Sequence, residues 1–259
     1  EILSDSLNDY DRDQRVIHYT TIQAKALSKM GVNVNVSPVV DLKTDNPFNS
    51  RNAHTQIHRR AISQDKFVIA NVASTYCNIL RRYNIFPTLK HFPGLGNVKE
   101  DTHFYAGELN KSKEYLTKND WYPFKEAIRS TDAFMMIGHV KLNKVDSKNA
   151  ASFSKKVIQE VIRQDWGHNG ILMSDDLNMG AIYGNELGIG GVAVKALNAG
   201  VDLLLVSYDG DQYFRAMYAL IQADNHKKLD IAIIGESVKR IGLARQLLCP
   251  IAFKVRKNT

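Results

Sequence analysis

Apolar positions along the chain switch between two periods. From Asp13 to Met30 they recur every three or four residues (Val16, Ile17, Ile22, Ala24, Ala26, Leu27), and Gly31 closes the run, which predicts a helix. Val32 to Asp41 alternates and then ends in an acid, a strand pattern. Residues 42–58 are polar and turn-rich and read as a long loop. Asp65 to Tyr83 returns to the helical period, with Phe67, Val68, Ala70, Val72, Ala73, Tyr76, Ile79 and Leu80 on one face. Ile85 to Leu89 is a short apolar strand, and the chain after it breaks at Pro93, Gly94 and Gly96. Further helices are predicted over Leu116–Ser130, Ser154–Asp165, Gly191–Ala199, Gln212–Ala223 and Ile233–Leu248. Further strands are predicted over Ala133–Val140, Gly170–Asp176 and Val201–Val206.

Strands therefore alternate with helices, and most strands are continuously apolar. That pattern defines βαβ units and a parallel sheet covered on both faces. Polar residues collect where strands end: Asp41, Lys90–His91, His139, Asp175–Asp176 and Tyr208–Asp209. Polar groups at the C-terminal ends of successive parallel strands mark the active face of a β/α barrel. The fold expected is thus α/β, a (β/α)8 TIM-type barrel, of which this chain supplies the later five strands. Residues 1–259 form a single catalytic domain on this reading, with the N-terminal strands missing. An open five-stranded sheet leaves two edges, so a second chain or a further segment is the expected partner that completes it.

Composition narrows the classes. A chain of 259 residues, 44% hydrophobic, can bury a full core, and barrels of about 200–250 residues are ordinary single domains. No apolar run is long enough to span a bilayer, so no membrane partner is expected. No signal peptide is visible, and a chain that opens on Glu1 leaves its targeting unread. The net charge of +7 comes from scattered pairs such as Arg59–Arg60, Arg81–Arg82, Lys155–Lys156 and Lys227–Lys228. No aromatic-interleaved basic motif occurs, so no nucleic-acid partner is expected. Cys77 and Cys249 lie far apart and make neither a disulfide framework nor a metal-ligand pair; Cys77 reads as a core thiol.

The chemistry gathers on Lys90-His91-Phe92-Pro93-Gly94-Leu95-Gly96-Asn97-Val98-Lys99-Glu100-Asp101-Thr102-His103. Asp101 and His103 stand two apart on an irregular loop. A carboxylate on one imidazole nitrogen fixes the tautomer and raises the basicity of the other, which makes a general acid/base. A second landmark is Gly170-Ile171-Leu172-Met173-Ser174-Asp175-Asp176-Leu177-Asn178-Met179, where a carboxylate at the end of a buried strand is rigidly aimed.

The first stretch closely resembles the K-H-F-P-G-x-G-x-x-x-x-D-[ST]-H signature of glycoside hydrolase family 3, in its β-N-acetylglucosaminidase branch. The second resembles that family's G-[VI]-[IL]-x-S-D-D-L-x-M strand. The resemblance implies a retaining exo-β-N-acetylglucosaminidase acting on cell-wall glycosides, with a small carbohydrate or muropeptide as substrate, no cofactor and no metal. It implies Asp175 as nucleophile, Asp176 as its supporting carboxylate, and His103 held by Asp101 as the acid/base. It implies Lys90, His91 and Arg60 as sugar-binding residues, the last from Arg60-Ala61-Ile62-Ser63-Gln64-Asp65 set against the family's R-[SA]-F-G-x-D. Arg51 is the alternate for that arginine. Asp41 and His139 are placed in the substrate pocket, Asp41 as a residue that orients Arg60 or Lys90 and His139 as pocket lining. Leu95 stands where the family carries His, a departure that concerns packing of the loop. The family's D-Q-E-G-G sugar-binding motif is absent from this chain. A single domain ending near Thr259 looks more like the cytoplasmic recycling members. Two other readings compete: a metal-dependent barrel hydrolase using His91, His139, Asp175 and Lys90, and a catalytically degenerate sugar- or peptidoglycan-binding module.

Overall fold

The computed structural model describes residues 8–43, 56–183, 186–207 and 209–248. Arg51, Tyr208 and Cys249, singled out above, lie outside these residues, as does most of the polar loop before Arg60. The described residues open with α1 (Asp9–Lys29), capped by Asn8, whose side chain accepts from the Asp11 N–H. A short β1 (Val34–Asn35), α2 (Ile57–Arg60) and α3 (Lys66–Arg82) follow, the last capped by Asp65 on the Phe67 N–H. Next come β2 (Phe86–Phe92), β3 (Gly107–Leu109), α4 (Lys113–Lys118), α5 (Tyr122–Ser130), β4 (Phe134–Ile137), β5 (Val140–Leu142) and β6 (Asp146–Ala150). After a 3-10 turn, Lys156–Asp165 winds as a π-helix. The described residues end with β7 (Leu172–Asp176), α6 (Gly180–Tyr183), α7 (Gly188–Ala199), β8 (Leu203–Leu205), α8 (Gly210–Asn225) and α9 (Ile231–Leu248).

Five of these strands form one parallel sheet in the order β1-β2-β4-β7-β8, curled into a half-barrel. Leu89 pairs with Met135, Met135 with Leu172 and Met173 with Leu203, which sets the register across the centre. The five strands are those expected, in sequence order. Closure to eight strands goes beyond the described residues. Edge strands β1 and β8 are only half-buried, whereas β2 and β4 are almost wholly buried. One face carries an aromatic cluster on Phe92, whose ring lies 5.5 Å from Trp121, 5.6 Å from Phe124 and 5.5 Å from Trp166. Elsewhere Phe86 stacks on Phe134 at 4.7 Å, with Ile171 beside them in a separate small cluster.

A buried ionic network ties the start of β7 to the last helix. The Asp202 side chain is fully buried and accepts from Arg163 (2.9 Å), Arg240 (2.8 Å), Ser237 Oγ (2.6 Å) and the Leu172 N–H (2.7 Å). Every carboxylate lone pair there has a donor, the condition under which a buried charge is tolerated.

Three expectations are corrected. The apolar run predicted as one strand over 133–140 splits at Gly138, whose N–H donates to the Phe92 carbonyl (2.7 Å) and whose Cα lies so close that a Cβ would sit 3.3 Å from that oxygen. The second half, β5, then leaves for a separate three-stranded sheet with β3 and β6. The helix predicted over 116–130 is interrupted between α4 and α5, where Pro123 opens the second helix. The helix predicted over 154–165 is π-wound.

Candidate active site

Two aspartate–histidine pairs frame the C-terminal ends of the strands. In the first, Asp41 follows β1 and is fully buried. Its carboxylate receives the His91 ring Nδ1–H (2.8 Å), the His91 N–H (3.3 Å) and the Leu95 N–H (2.7 Å). A carboxylate on Nδ1 leaves Nε2 as the acceptor, and the Arg60 guanidinium lies 3.4 Å from it. Arg60 ends α2, which Ile57 anchors in the core, and is itself exposed. Asp41 was expected to orient Arg60 or Lys90; the structure puts it beneath His91, which carries its influence to Arg60. Leu95, held by that same carboxylate, is buried in the main core, so this departure from the family signature packs inward.

In the second pair, the Asp101 carboxylate accepts from the His103 ring (2.8 Å) and from the His103 N–H (3.1 Å). The Asp101 side chain is 9% exposed and that of His103 is 42% exposed. The loop is pinned from below by Asp120, whose Oδ1 accepts from Asn97 (3.0 Å) and whose Cβ lies 3.2 Å from where a Cβ on Gly94 would be. Gly94 sits at φ +103°, a conformation glycine adopts freely. Asp120 is 1% exposed, its Oδ2 has no hydrogen-bond partner, and burial pushes its carboxyl above the usual range.

The loop docks on the segment that leaves β7. The Gly180 N–H donates to the His103 carbonyl (2.7 Å), and a Cβ on Gly180 would lie 2.6 Å from Phe104 Cα. The His103 backbone is thereby held against the start of α6, five residues beyond Asp175. Asp175 is the penultimate residue of β7 and half-buried, and its Oδ1 accepts the Asp176 N–H (2.9 Å). Asp176 faces another way: its carboxylate accepts from the Asn178 N–H (3.0 Å), the Ser207 N–H (3.2 Å) and the Ser207 hydroxyl. It braces the strand end against the residues beyond β8.

His139 is buried between β4 and β7. Its Nε2–H donates to the Asp176 carbonyl (3.0 Å), so Nδ1 accepts from Ser152 Oγ (2.8 Å). Burial lowers its pKa below the ordinary histidine value, with Asp175 close enough to oppose that shift. Both ring nitrogens are committed within the protein, which makes His139 a brace for the Asp175–Asp176 strand end. Lys90 is half-buried; burial first and Arg60 next lower its pKa, while Asp175 and Asp41 act in the opposite sense. Lys90, Arg60, Asp41 and Asp175 therefore share one electrostatic neighbourhood. Asp120, Asn97, Ser152 and Ser207 were not anticipated. Gly180 was not anticipated either, since it opens α6 and only its contact with the His103–Phe104 backbone shows the close approach. Among the described residues no group of three or more His, Cys, Asp or Glu is arranged to hold a metal ion.

A half-barrel of parallel strands with carboxylates, a lysine and a carboxylate-held histidine at its C-terminal rim defines a class of α/β enzyme domain. Residues 5–243 match the glycosyl hydrolase family 3 N-terminal domain, and the chain belongs to that family. A beta-hexosaminidase of Xanthomonas oryzae pv. oryzae is 32% identical over 193 residues, covering 73% of this chain and 54% of that protein. The chain thus spans about half the length of the curated relatives it matches. A solved family 3 β-N-acetylglucosaminidase from Paenibacillus sp. superposes with a TM-score of 0.85 at 29% identity, over 92% of this chain and 44% of that one. A family 3 glycosyl hydrolase from Mycobacterium smegmatis superposes with a TM-score of 0.79 at 25% identity, over 90% of this chain and 71% of that one.

Proposed function

We propose that this chain carries the active face of a retaining exo-β-N-acetylglucosaminidase that removes terminal N-acetylglucosamine from cell-wall glycosides. The observation that carries the reading is the docking of the Asp101–His103 pair, through the His103 carbonyl, on the segment leaving Asp175. The similarity to proteins named beta-hexosaminidase and β-N-acetylglucosaminidase supports the substrate class.

In this mechanism His103 donates a proton to the glycosidic oxygen while the Asp175 carboxylate attacks the anomeric carbon. The bond to the leaving group breaks and a glycosyl ester forms on Asp175. His103, now the base, takes a proton from water; that water attacks the same carbon and frees Asp175. Two inversions give net retention. Asp101 holds the His103 tautomer throughout, since the ring proton on Nδ1 stays with the carboxylate side. Lys90 and the exposed Arg60 supply donors to sugar hydroxyls, with His91 and Asp41 setting the place of Arg60. His139 and Asp176 keep the strand end rigid. The catalytic unit is an eight-stranded β/α barrel to which these residues contribute five strands.

The test is turnover of an aryl N-acetylglucosaminide by the full-length protein and its Asp175→Ala variant. Loss of turnover by about 10⁴-fold or more is expected for a missing nucleophile. A variant within tenfold of the parent would remove Asp175 from the role.

A further inference from the structure

Two of the basic pairs that stand far apart in the chain come together in the fold. Lys155 of one pair and both Lys227 and Lys228 of the other line one groove of about 520 Å³, with Lys195 as a fourth ammonium group. Among the described residues a single carboxylate, Asp230, shares that groove, and it pairs with Lys155 at 3.1 Å. Lys195 reaches the side-chain oxygen of Asn149 at 3.4 Å. Among the described residues the Lys227 and Lys228 ammonium groups have neither a hydrogen bond nor an ion pair. Four cations thus share a groove with one anion, an excess of positive charge that draws anions from solution.

The groove is built by elements tied to one another. Asn198, near the end of α7, donates from Nδ2 to the Lys228 carbonyl (2.9 Å) and accepts the Asp230 N–H on Oδ1 (2.8 Å). Gln159 of the π-helix donates to the Ala199 carbonyl (2.8 Å). The turn after α8 is left-handed at Lys227 (φ +55°), a place where glycine is the usual residue. The lysine pair is therefore carried on a turn pinned to α7. Asn198 and Ala199 precede β8, by the N-terminal end of that strand, whereas Asp175 stands near the C-terminal end of β7. Among the described residues the groove and the candidate active site have no residue in common.

The chemistry of the groove narrows its ligand. A guanidinium fork orients one planar anion, whereas a lysine is a point charge on a flexible stem that can follow a row of phosphates. The described lining residues include four lysines and no arginine, which suits a chain of anions better than one oriented small molecule. Phe153, the aromatic residue among them, is 7% exposed and offers no ring on which a base could stack. We infer that this groove is a docking surface for a linear polymer of phosphate groups, separate from the strand-end site and independent of the glycosidase reading. Phosphates of the polymer lie along the lysines and release their counterions, while the strand-end rim stays free.

The experiment measures binding of an end-labelled short-chain inorganic polyphosphate to the full-length protein by fluorescence anisotropy across a salt series. For the parent, the logarithm of affinity is expected to fall against the logarithm of salt with a slope of about −3, four contacts at about 0.7 each. Lys227→Gln/Lys228→Gln is expected to bind about tenfold more weakly, with the slope reduced to about −1.5. Lys25→Gln/Lys29→Gln, which removes the same charge from exposed positions of α1, is expected to stay within about twofold of the parent. Melting temperatures equal to the parent's show that both variants are folded. No binding by the parent would overturn the inference. Equal losses in the two double variants would overturn it as well, by assigning the binding to net charge. Single-stranded DNA bound more tightly than polyphosphate would overturn the choice of partner, by making the bases part of the ligand. Each readout is binding rather than turnover, so none of these outcomes bears on the glycosidase reading.

Discussion

The two aspartate–histidine pairs are built alike and placed differently. Each has a carboxylate oxygen 2.8 Å from Nδ1 of its histidine. The Asp41–His91 pair is buried, at 0% and 8% side-chain exposure, and its outer nitrogen faces Arg60. The His103 side chain is 42% exposed and sits on a loop rather than at a strand end. A short contact alone does not make a proton shuttle. The first pair, enclosed and already engaged at both ring nitrogens, can fix a loop and aim an arginine. The second, with its histidine side chain 42% exposed, can meet a substrate oxygen and then water on the proposed mechanism.

The largest effect that would break this distinction is catalytic. His103→Ala is expected to lower kcat/KM by about 10³-fold on a sugar leaving group, and far less on an activated dinitrophenyl leaving group that departs without a proton. Equal losses on both would deny His103 the acid's part. Next comes stability. Asp41→Ala strips a buried histidine and the Leu95 amide of their acceptor and should cost about 3–5 kcal/mol in urea unfolding. Asp101→Ala, at a partly exposed pair, should cost about 1 kcal/mol yet reduce kcat by about 10²-fold. If the two aspartates cost the same in unfolding, burial does not separate the pairs.

A smaller effect concerns the enclosed histidines as a group. Burial pushes His168 down to about 3 and lowers His139 as well. The unfolded chain takes up these protons near pH 6.5 and the folded state refuses them, so stability is full above about pH 6.5 and falls as pH drops toward the folded values. The expected slope is up to about 1.4 kcal/mol per pH unit for each group. His168→Asn should flatten the acid limb of a stability–pH curve, and an unchanged limb would contradict its burial as a neutral ring. Smallest is Asn97→Ala, which takes away the donor to Asp120 Oδ1 and should cost about 1 kcal/mol with kcat nearly unchanged.

Much of this was legible in the chain. The five parallel strands appear as apolar runs because strands covered on both faces cannot hide polar residues among them. The candidate chemistry was legible because the loop after β2 is short enough for Asp101 to reach His103 two residues on. What sequence could not show depends on contacts distant in the chain. Gly138 stops a strand only because the Phe92 carbonyl lies against it. Asp41 reads as a strand-end acid of the pocket, yet it serves His91 and Leu95, some fifty residues away. Asp120 looks like an ordinary acid near a helix start, and only the folded loop shows it buried beneath Gly94. His139 reads as pocket lining, and only the folded chain shows that Ser152 and the Asp176 carbonyl engage both its nitrogens.

On the proposed mechanism Asp175 attacks the sugar while His103 handles the proton. The most direct test is intact-protein and peptide mass spectrometry of the full-length protein after incubation with a slow fluorinated aryl N-acetylglucosaminide. The mechanism predicts a single sugar adduct, on the peptide that contains Asp175, which persists longer in His103→Ala than in the parent. An adduct on another carboxylate, or turnover with inversion and no adduct at all, would contradict it.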